Sequence, residues 1–412
     1  MRNKLSLLRK ALQIAWRQPE LVPTLIRMEY RHRWGVLRDQ RLPTGWSAPP
    51  TNLTLYLTFR CNLKCAMCMQ FRGNQKIPSS RTWYNRQQEL PLKTWISLLD
   101  QVSSFRPWIY LLGGEPLLYP QFTELVWEAR KRKLNIHLQT NGTLLAEVAD
   151  SLVQAGVMVV CISLDGPPEV HDAIRGVPGT FRKLEEGVQA LLAARARHRR
   201  PNPVLSINCT ISRSNVKRLP EMVPLAIKLG AETLQFQHAQ FNSPGKVALH
   251  NEFLSPERVR NLGLDMAFPS ICEGEYYQSE ITSADIPFLQ ESLAQIRQLS
   301  KDKLKVTFLP NLPPELLSAY YLDLDYPFAQ SCDYLWKNMK IFPDGTHSPC
   351  LNFRAGNIAE HSVADLWNGP RMQTLRLLFK QRLLPGCARC CRRYYTKGNR
   401  PALQAPSRLL ER

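Results

Sequence analysis

Three cysteines sit close together in Leu53-Thr-Leu-Tyr-Leu-Thr-Phe-Arg-Cys61-Asn-Leu-Lys-Cys65-Ala-Met-Cys68, with the spacing CxxxCxxC. Thiolates this near to one another suit a single metal centre. A structural zinc site takes four protein ligands, and no fourth Cys or His lies close enough in the chain to complete a tetrahedron. A cubane [4Fe–4S] cluster has four irons, so three cysteines leave one iron open to an exogenous ligand. A second cysteine group lies near the C-terminus: Cys332, then Cys350 at the end of Ile341-Phe-Pro-Asp-Gly-Thr-His-Ser-Pro-Cys350, then Cys387-Ala-Arg-Cys390-Cys391. Four thiolates would close a metal centre completely, and zinc and a [4Fe–4S] cluster both accept that donor set.

Other residues have types that suit ligand binding. In Gly113-Gly114-Glu115-Pro116, two glycines let backbone approach a ligand, and the carboxylate can accept hydrogen bonds from an ammonium. Thr140-Asn141-Gly142 and Ser163-Leu164-Asp165-Gly166 each follow an apolar run. By the two-residue period of a strand, Cys161, Ser163 and Asp165 share a face, as do Asn208, Thr210 and Ser212, with Arg213 next. Gln235 and Gln237 share another face, with His238 opposite. Polar groups inside a barrel are costly unless bonded, so part of this set is expected to meet a ligand. No single residue stands out as a catalytic acid or base, and Cys161, Cys209 and Cys272 read as small apolar fillers.

The elements that must position these residues alternate in type. Strand patterns cover 53–59, 108–112, 135–140, 157–164, 204–211 and 233–241. Helical patterns cover 92–105, 121–133, 144–155, 180–194 and 216–229. Six βα repeats imply a parallel sheet with helices outside, curled by right-handed crossovers into a barrel or an open part of one. Loops at the C-terminal ends of its strands are where such folds place chemistry. Residues 242–331 are less regular, with a helix at 287–299 and a short strand at 305–309. Pro343-Asp344-Gly345 between two apolar runs marks a hairpin turn.

The CxxxCxxC loop after strand one resembles the signature of the radical S-adenosylmethionine (radical SAM) superfamily, and Gly113-Gly114-Glu115 after strand two looks like its GGE motif. The segment from Cys332 to Cys391, with Gly356-Asn357-Ile358 and Leu366-Trp367-Asn368 inside it, resembles the SPASM/twitch modules appended to many of these enzymes. The resemblance covers residues 51–241 and 326–395. It implies an α/β fold: an open (β/α)6 partial TIM barrel, then a small hairpin-plus-helix auxiliary module. The spacing of Leu5, Leu8, Leu12 and Ala15, then Leu21, Leu25 and Ile26, adds an N-terminal helical extension over residues 5–34, split near Pro19 and Pro23. The corresponding divisions are 1–48, a basic helical extension; 49–245, the barrel; 246–325, a bridging region; 326–395, the auxiliary domain; and 396–412, a basic tail.

The same resemblance implies a [4Fe–4S] cluster on Cys61, Cys65 and Cys68 whose open iron chelates the amino and carboxylate groups of S-adenosylmethionine (SAM). Gly113, Gly114 and Glu115 would meet the methionyl amine, Ser163 the carboxylate, and Asp165 the ribose. Asn208 and Arg213 belong to the same cofactor-facing set. The family usually has an aromatic residue just before the third cysteine, near the adenine. This chain has Met67, whose thioether can pack on an adenine face. The C-terminal segment implies one auxiliary [4Fe–4S] cluster on Cys332, Cys350, Cys387 and Cys390, since no cysteine follows Cys391. Cys391 could replace Cys390, and a four-cysteine zinc site is the rival.

The activity so implied is one-electron reductive cleavage of SAM to a 5′-deoxyadenosyl radical, which abstracts hydrogen from a C–H bond. An auxiliary cluster suits an oxidation, because a substrate radical must lose a second electron. A peptide or protein substrate is favoured, with a small-molecule, sugar or lipid-linked substrate as the alternative. A flavodoxin- or ferredoxin-type protein would supply electrons. A plain iron–sulfur electron carrier would give Gly113-Gly114-Glu115 and an open iron no purpose.

Composition bounds the rest. The chain is 44% apolar and 21% charged with eleven cysteines, a globular composition in which thiols point to metal before disulfides. No signal-peptide pattern or membrane-length apolar run is present, so a cytoplasmic protein is expected. The formal charge of +20 is concentrated at the ends: residues 1–48 hold ten Lys or Arg against three Asp or Glu, and 371–412 hold eleven against one. Basic ends suggest an anionic partner or attachment at a membrane surface. Nucleic acid is disfavoured, because no RNA-binding module is recognisable.

Overall fold

A computed structural model of the 412-residue chain describes residues 26, 29–68, 88–266, 279–323, 325–326, 329–350, 353–390 and 394–396. Strands β1 (Asn52–Tyr56), β2 (Trp108–Leu112), β3 (Asn135–Thr140), β4 (Val159–Ser163), β5 (Val204–Ile211), β6 (Thr233–His238) and β7 (Lys305–Leu309) pair in parallel in that order. The alternation seen in the sequence is the cause. Leu53, Leu55, Ile109, Leu111, Ile162, Ile207 and Phe236 turn one way and are buried under the helices. Trp95, Leu98, Leu99 and Val102 of helix Leu92–Val102 are part of the same core. Truncating one of these leucines to Ala costs about 2–5 kcal/mol. The other face carries Tyr110, His137, Gln139, Ser163, Asn208 and Gln235, which stay half-buried.

Three elements differ from the sequence reading. The strand at 305–309 is the seventh parallel strand of the sheet, paired with β6. Helices Pro168–Arg175, Pro244–Phe253 and Pro256–Asn261 occupy stretches for which the sequence reading has no helix. Each has its proline in the first turn, where the missing N–H costs nothing. Ser243 and Ser255 cap the last two, accepting from Lys246 N at 3.2 Å and Arg258 N at 3.3 Å. Stretch 43–50, where Pro43, Pro49 and Pro50 mark a linker in the sequence, is strapped to helix Val363–Asn368: Asn368 Nδ2 donates to Ser47 O at 2.9 Å, and Trp367 Nε1 to Ala48 O at 2.9 Å.

The C-terminal segment does not stand apart from the barrel. After β8 (Ala329–Ser331) comes β9 (Asn338–Ile341), which pairs in parallel with β1 on the side away from β2. The hairpin turns at Pro343-Asp344-Gly345, where Gly345 N donates to Phe342 O at 2.9 Å, and β10 (Thr346–His347) returns antiparallel. β11 (Gly356–Asn357) adds the edge, so one ten-stranded sheet runs β11-β10-β9-β1-β2-β3-β4-β5-β6-β7. β12 (Tyr394–Thr396) pairs with β8. Of the expected N-terminal helix, residues before 26 lie outside the described set. The described part runs through a π-helical turn, Arg31–Gly35, into helix Val36–Arg41.

Candidate active site

The cysteine loop leaves the C-terminal end of β1 and is held by the loops that leave three neighbouring strands. From β2, Gly114 N donates to Thr58 O at 2.8 Å and Glu115 N to Arg60 O at 2.8 Å. The two glycines are required by this contact itself: a Cβ at Gly113 would lie 2.3 Å from Thr58 O, and one at Gly114 2.2 Å from Arg60 O. From β3, Asn141 Nδ2 donates to Asn62 Oδ1 at 2.8 Å, and Asn62 Nδ2 to Thr143 Oγ1 at 2.8 Å. From the helix after β4, the carbonyls of Arg175 and Ile174 accept from Lys64 N at 3.1 Å and Ala66 N at 3.0 Å. Gly176 ends that helix with a left-handed φ of +70°, and a Cβ there would strike Lys64 O at 2.7 Å.

Two buried carboxylates lock this frame. Glu115, fully buried, accepts from Leu117 N at 3.1 Å, Thr140 Oγ1 at 2.7 Å and Asn141 N at 2.7 Å, tying the β2 loop to the β3 loop. Burial pushes its pKa up to about 7 against the pull of those bonds. Asp165, also fully buried, accepts from Thr210 N at 2.9 Å and lies 2.6 Å from Arg175 Nη2. Its own carbonyl accepts from Asn215 Nδ2 at 2.8 Å. The sequence reading placed both carboxylates at SAM; in this structure each side chain is enclosed by protein and holds one loop to the next.

Arg175 was not singled out from the sequence. Its Nη1 is 3.6 Å from Cys65 Sγ, so a guanidinium lies against the sulfur of the middle cysteine of the loop. Burial works against its charge, but Asp165, Cys65 and Cys68 outweigh that and hold its pKa above the usual value. An arginine at the end of a short helix carries no local mark of this role, because the return of that helix to the cysteine loop is a property of the fold. Asn62 was likewise legible only as a loop residue, and Asn141 only as part of the Thr140-Asn141-Gly142 strand end, not as its partner.

The remaining site residues fall into two groups. Ser163 Oγ accepts from Gln139 Nε2 at 2.8 Å, and Asn208 Oδ1 accepts from Gln235 Nε2 at 2.9 Å, all on the face away from the helices. Met67 is half-buried beside Cys68. Arg213 turns outward instead: its side chain is 63% exposed and its Nε lies 3.6 Å from Asp285 Oδ2. It stands apart from the cysteine loop's cradle.

The donor set at Cys61, Cys65 and Cys68 fits an iron–sulfur cluster. Burial, with Glu115 and the other two sulfurs nearby, pushes the Cys61 thiol up to about 12. A thiolate at Cys61 therefore needs a cationic centre to form there. Leu63 N donates to Cys61 Sγ at 3.4 Å, and with Arg175 it gives the sulfurs hydrogen-bond donors.

At the C-terminal end, Cys332, Cys350 and Cys387 pack against the core, and Cys390 N closes a turn onto Cys387 O at 3.2 Å. Pairing of Ser331 with Tyr394 brings the β8 end, and hence Cys332, beside the segment that follows Cys390. Arg389 fixes the turn: buried, it donates from Nε to Tyr320 O at 2.6 Å and from Nη2 to Ala319 O at 3.2 Å and Asp323 O at 2.5 Å, capping helix Leu317–Leu322. Cys161 and Cys209 are buried in the sheet as expected, whereas Cys272 and Cys391 lie outside the described residues.

A parallel sheet with three cysteines at the exit of its first strand and a Gly-Gly-Glu turn beside them defines a radical SAM fold, here with an iron–sulfur module at its C-terminal end. The model of the radical SAM superfamily matches residues 55–206, and that of SPASM, an iron-sulfur cluster-binding domain, matches residues 332–391. The AdoMet-dependent heme synthase of Methanosarcina barkeri is 32% identical over 324 residues, covering 77% of this chain and 82% of that protein. The PqqA peptide cyclase of Gluconobacter oxydans is 32% identical over 215 residues, 51% of this chain and 55% of the cyclase. The solved structure of Streptococcus suis SuiB bound to S-adenosylmethionine shares the fold with a TM-score of 0.55 at 16% identity, over 90% of this chain and 79% of SuiB. This chain belongs to the radical SAM superfamily. It is an enzyme of that class, with a [4Fe–4S] cluster, SAM and auxiliary iron–sulfur binding as its cofactors.

Proposed function

We propose that the enzyme takes a hydrogen atom from a C–H bond of a peptide or protein and completes an oxidative modification of it. One observation carries the choice of substrate. On β3 to β6, every residue on the face away from the helices, from Asn135 to Gln139, 159 to Ser163, 204 to Thr210 and Thr233 to Gln237, is uncharged in type. His137 is no exception, since burial pushes its pKa down to about 4. Amides and hydroxyls dominate the row, including Asn135, Gln139, Ser206, Thr210, Gln235 and Gln237. Such groups both donate and accept, as a peptide backbone requires. The name of the PqqA peptide cyclase gives the same substrate class for a relative.

When bound, the open cluster and SAM supply a one-electron cleavage that yields a carbon radical able to attack an unactivated C–H bond. The chain's own part is placement. Cys61, Cys65 and Cys68 would hold the cluster, the Gly113-Gly114 backbone the SAM ammonium, Ser163 its carboxylate, Asn208 its ribose, and Met67 the adenine. Glu115 and Asp165 would keep the loops in register. Cys332, Cys350, Cys387 and Cys390 would hold one auxiliary cluster to receive the second electron, and a flavodoxin- or ferredoxin-type protein would reduce the first.

A second reading is a tetrapyrrole, favoured by the length of the match to the heme synthase. Its carboxylates would need cations, which the β3–β6 face lacks. Anaerobic incubation with SAM and dithionite separates the two. Peptides encoded beside this gene should lose two hydrogens in step with 5′-deoxyadenosine release. Coupled turnover of an iron porphyrin, with none of any peptide, contradicts the proposal.

A further inference from the structure

The helix leading into the barrel turns an apolar face away from the protein. Ile26 is 64% exposed, Tyr30 66%, Trp34 64% and Leu37 49%. Tyr30, Trp34 and Leu37 follow at spacings of four and three along helical backbone, so they share one side. A lone exposed apolar residue needs no explanation, but a row of them does.

The opposite side of the helix holds that row outward. Asp39 is fully buried and accepts from Arg31 Nη2 at 2.7 Å, Ser47 Oγ at 3.1 Å and Ala48 N at 2.8 Å. Arg31 Nη2 also donates to Ala48 O at 2.8 Å, and Val36 is buried on the same element. Gly35 leaves room for that guanidinium, since a Cβ there would lie 2.6 Å from Arg31 Nη1. Rolling the apolar row inward would break a buried ion pair.

We infer that this face docks on a membrane surface bearing anionic lipid headgroups. Tyr and Trp settle at the bilayer interface, where an apolar ring and a polar edge are both satisfied. The flanking charge has the matching sign. Arg41 is exposed on the same helix, Arg38 is exposed while its guanidinium lies 2.9 Å from Asp39 Oδ1, and the buried Asp39 is one of only three acids against ten Lys or Arg in residues 1–48. A helix ridge is convex, which suits a flat surface rather than the grip of a peptide. No helix among the described residues is long and apolar enough to cross a membrane, so attachment through this face is peripheral.

Co-sedimentation of the full-length, cluster-loaded enzyme with phosphatidylcholine vesicles, with and without an equal share of phosphatidylglycerol, tests this. The parent should bind the anionic vesicles at least about tenfold more tightly. Trp34→Glu combined with Tyr30→Ser should lose about tenfold or more of that affinity, while Trp127→Ser, exposed on another helix, should bind as the parent does. Iron content and far-UV circular dichroism check that the variants fold. Equal binding to both vesicles, or undiminished binding by the double variant, overturns the inference. So does a lipid-free dimer that Trp34→Glu dissociates, which would assign the face to a second copy of the chain.

Discussion

Arg175 Nη2 stands 2.6 Å from Asp165 Oδ2, and the pair is buried beside Cys65, whose sulfur is 3.6 Å from Arg175 Nη1. Burial pushes the Asp165 carboxyl up and Arg175 pulls it back. The consequence is a fixed positive charge against the Cys65 sulfur, anchored from behind by a carboxylate just past the end of β4. Reduction adds an electron to the cluster, so this charge favours the reduced state.

Arg175→Met should therefore make the reduction potential of the first cluster more negative. A unit charge at this distance, with an effective dielectric near 20, corresponds to about 4–5 kcal/mol, or roughly 200 mV for a one-electron couple, a ceiling that the Asp165 counter-charge reduces. Arg175→Lys should recover part of the shift. Potentiometric titration followed by electron paramagnetic resonance reads it, and an unchanged potential would show that the guanidinium serves packing alone.

Asp165→Asn leaves Arg175 buried without its counter-charge, which should destabilise the fold by about 3–5 kcal/mol. The urea midpoint of the anaerobic protein measures this. Asp165 also holds Thr210 N, at 2.9 Å, so the loss should spread to the exit of β5 as faster amide exchange there.

Gly114→Ala puts a methyl 2.2 Å from Arg60 O and must push the cysteine loop off the β2 turn. The expected result is loss of the first cluster's iron while the iron at the C-terminal module stays. Equal loss at both sites, measured by iron and sulfide content, would mean that the two centres depend on one another.

Glu115, with its pKa raised to about 7 from an ordinary 4.5, makes a signed prediction about pH. The folded state binds this proton more tightly than the unfolded state, so the contribution is full below about 4.5 and is lost as pH rises through 7. Glu115→Gln should flatten the fall in stability across that window by about 2–4 kcal/mol. Parallel unfolding curves for parent and variant at pH 5 and pH 8 test the sign.

Much of this was legible in the chain because the signals are local. The CxxxCxxC loop, the alternation of β1 to β6 and the Pro343-Asp344-Gly345 turn depend on neighbours a few residues apart. Pairing of β9 with β1 joins Leu53 to Met339, and no local pattern encodes a partner that far along the sequence. The same limit hid Arg175. Glu115 and Asp165 were visible as carboxylates at strand ends, but whether such a group faces a ligand or a neighbouring loop is decided by packing. The helices that begin at Pro168, Pro244 and Pro256 were missed because each is only six to ten residues long, too short for a clear helical period.

The most direct test of the central claim is 5′-deoxyadenosine release by the anaerobically reconstituted enzyme with SAM and dithionite, compared with the variant carrying Cys61→Ala, Cys65→Ala and Cys68→Ala together. The parent should form it and the variant should form none while keeping the iron of its C-terminal module. Release by the triple variant at the parent rate, or zinc in place of iron in the parent, would contradict the account.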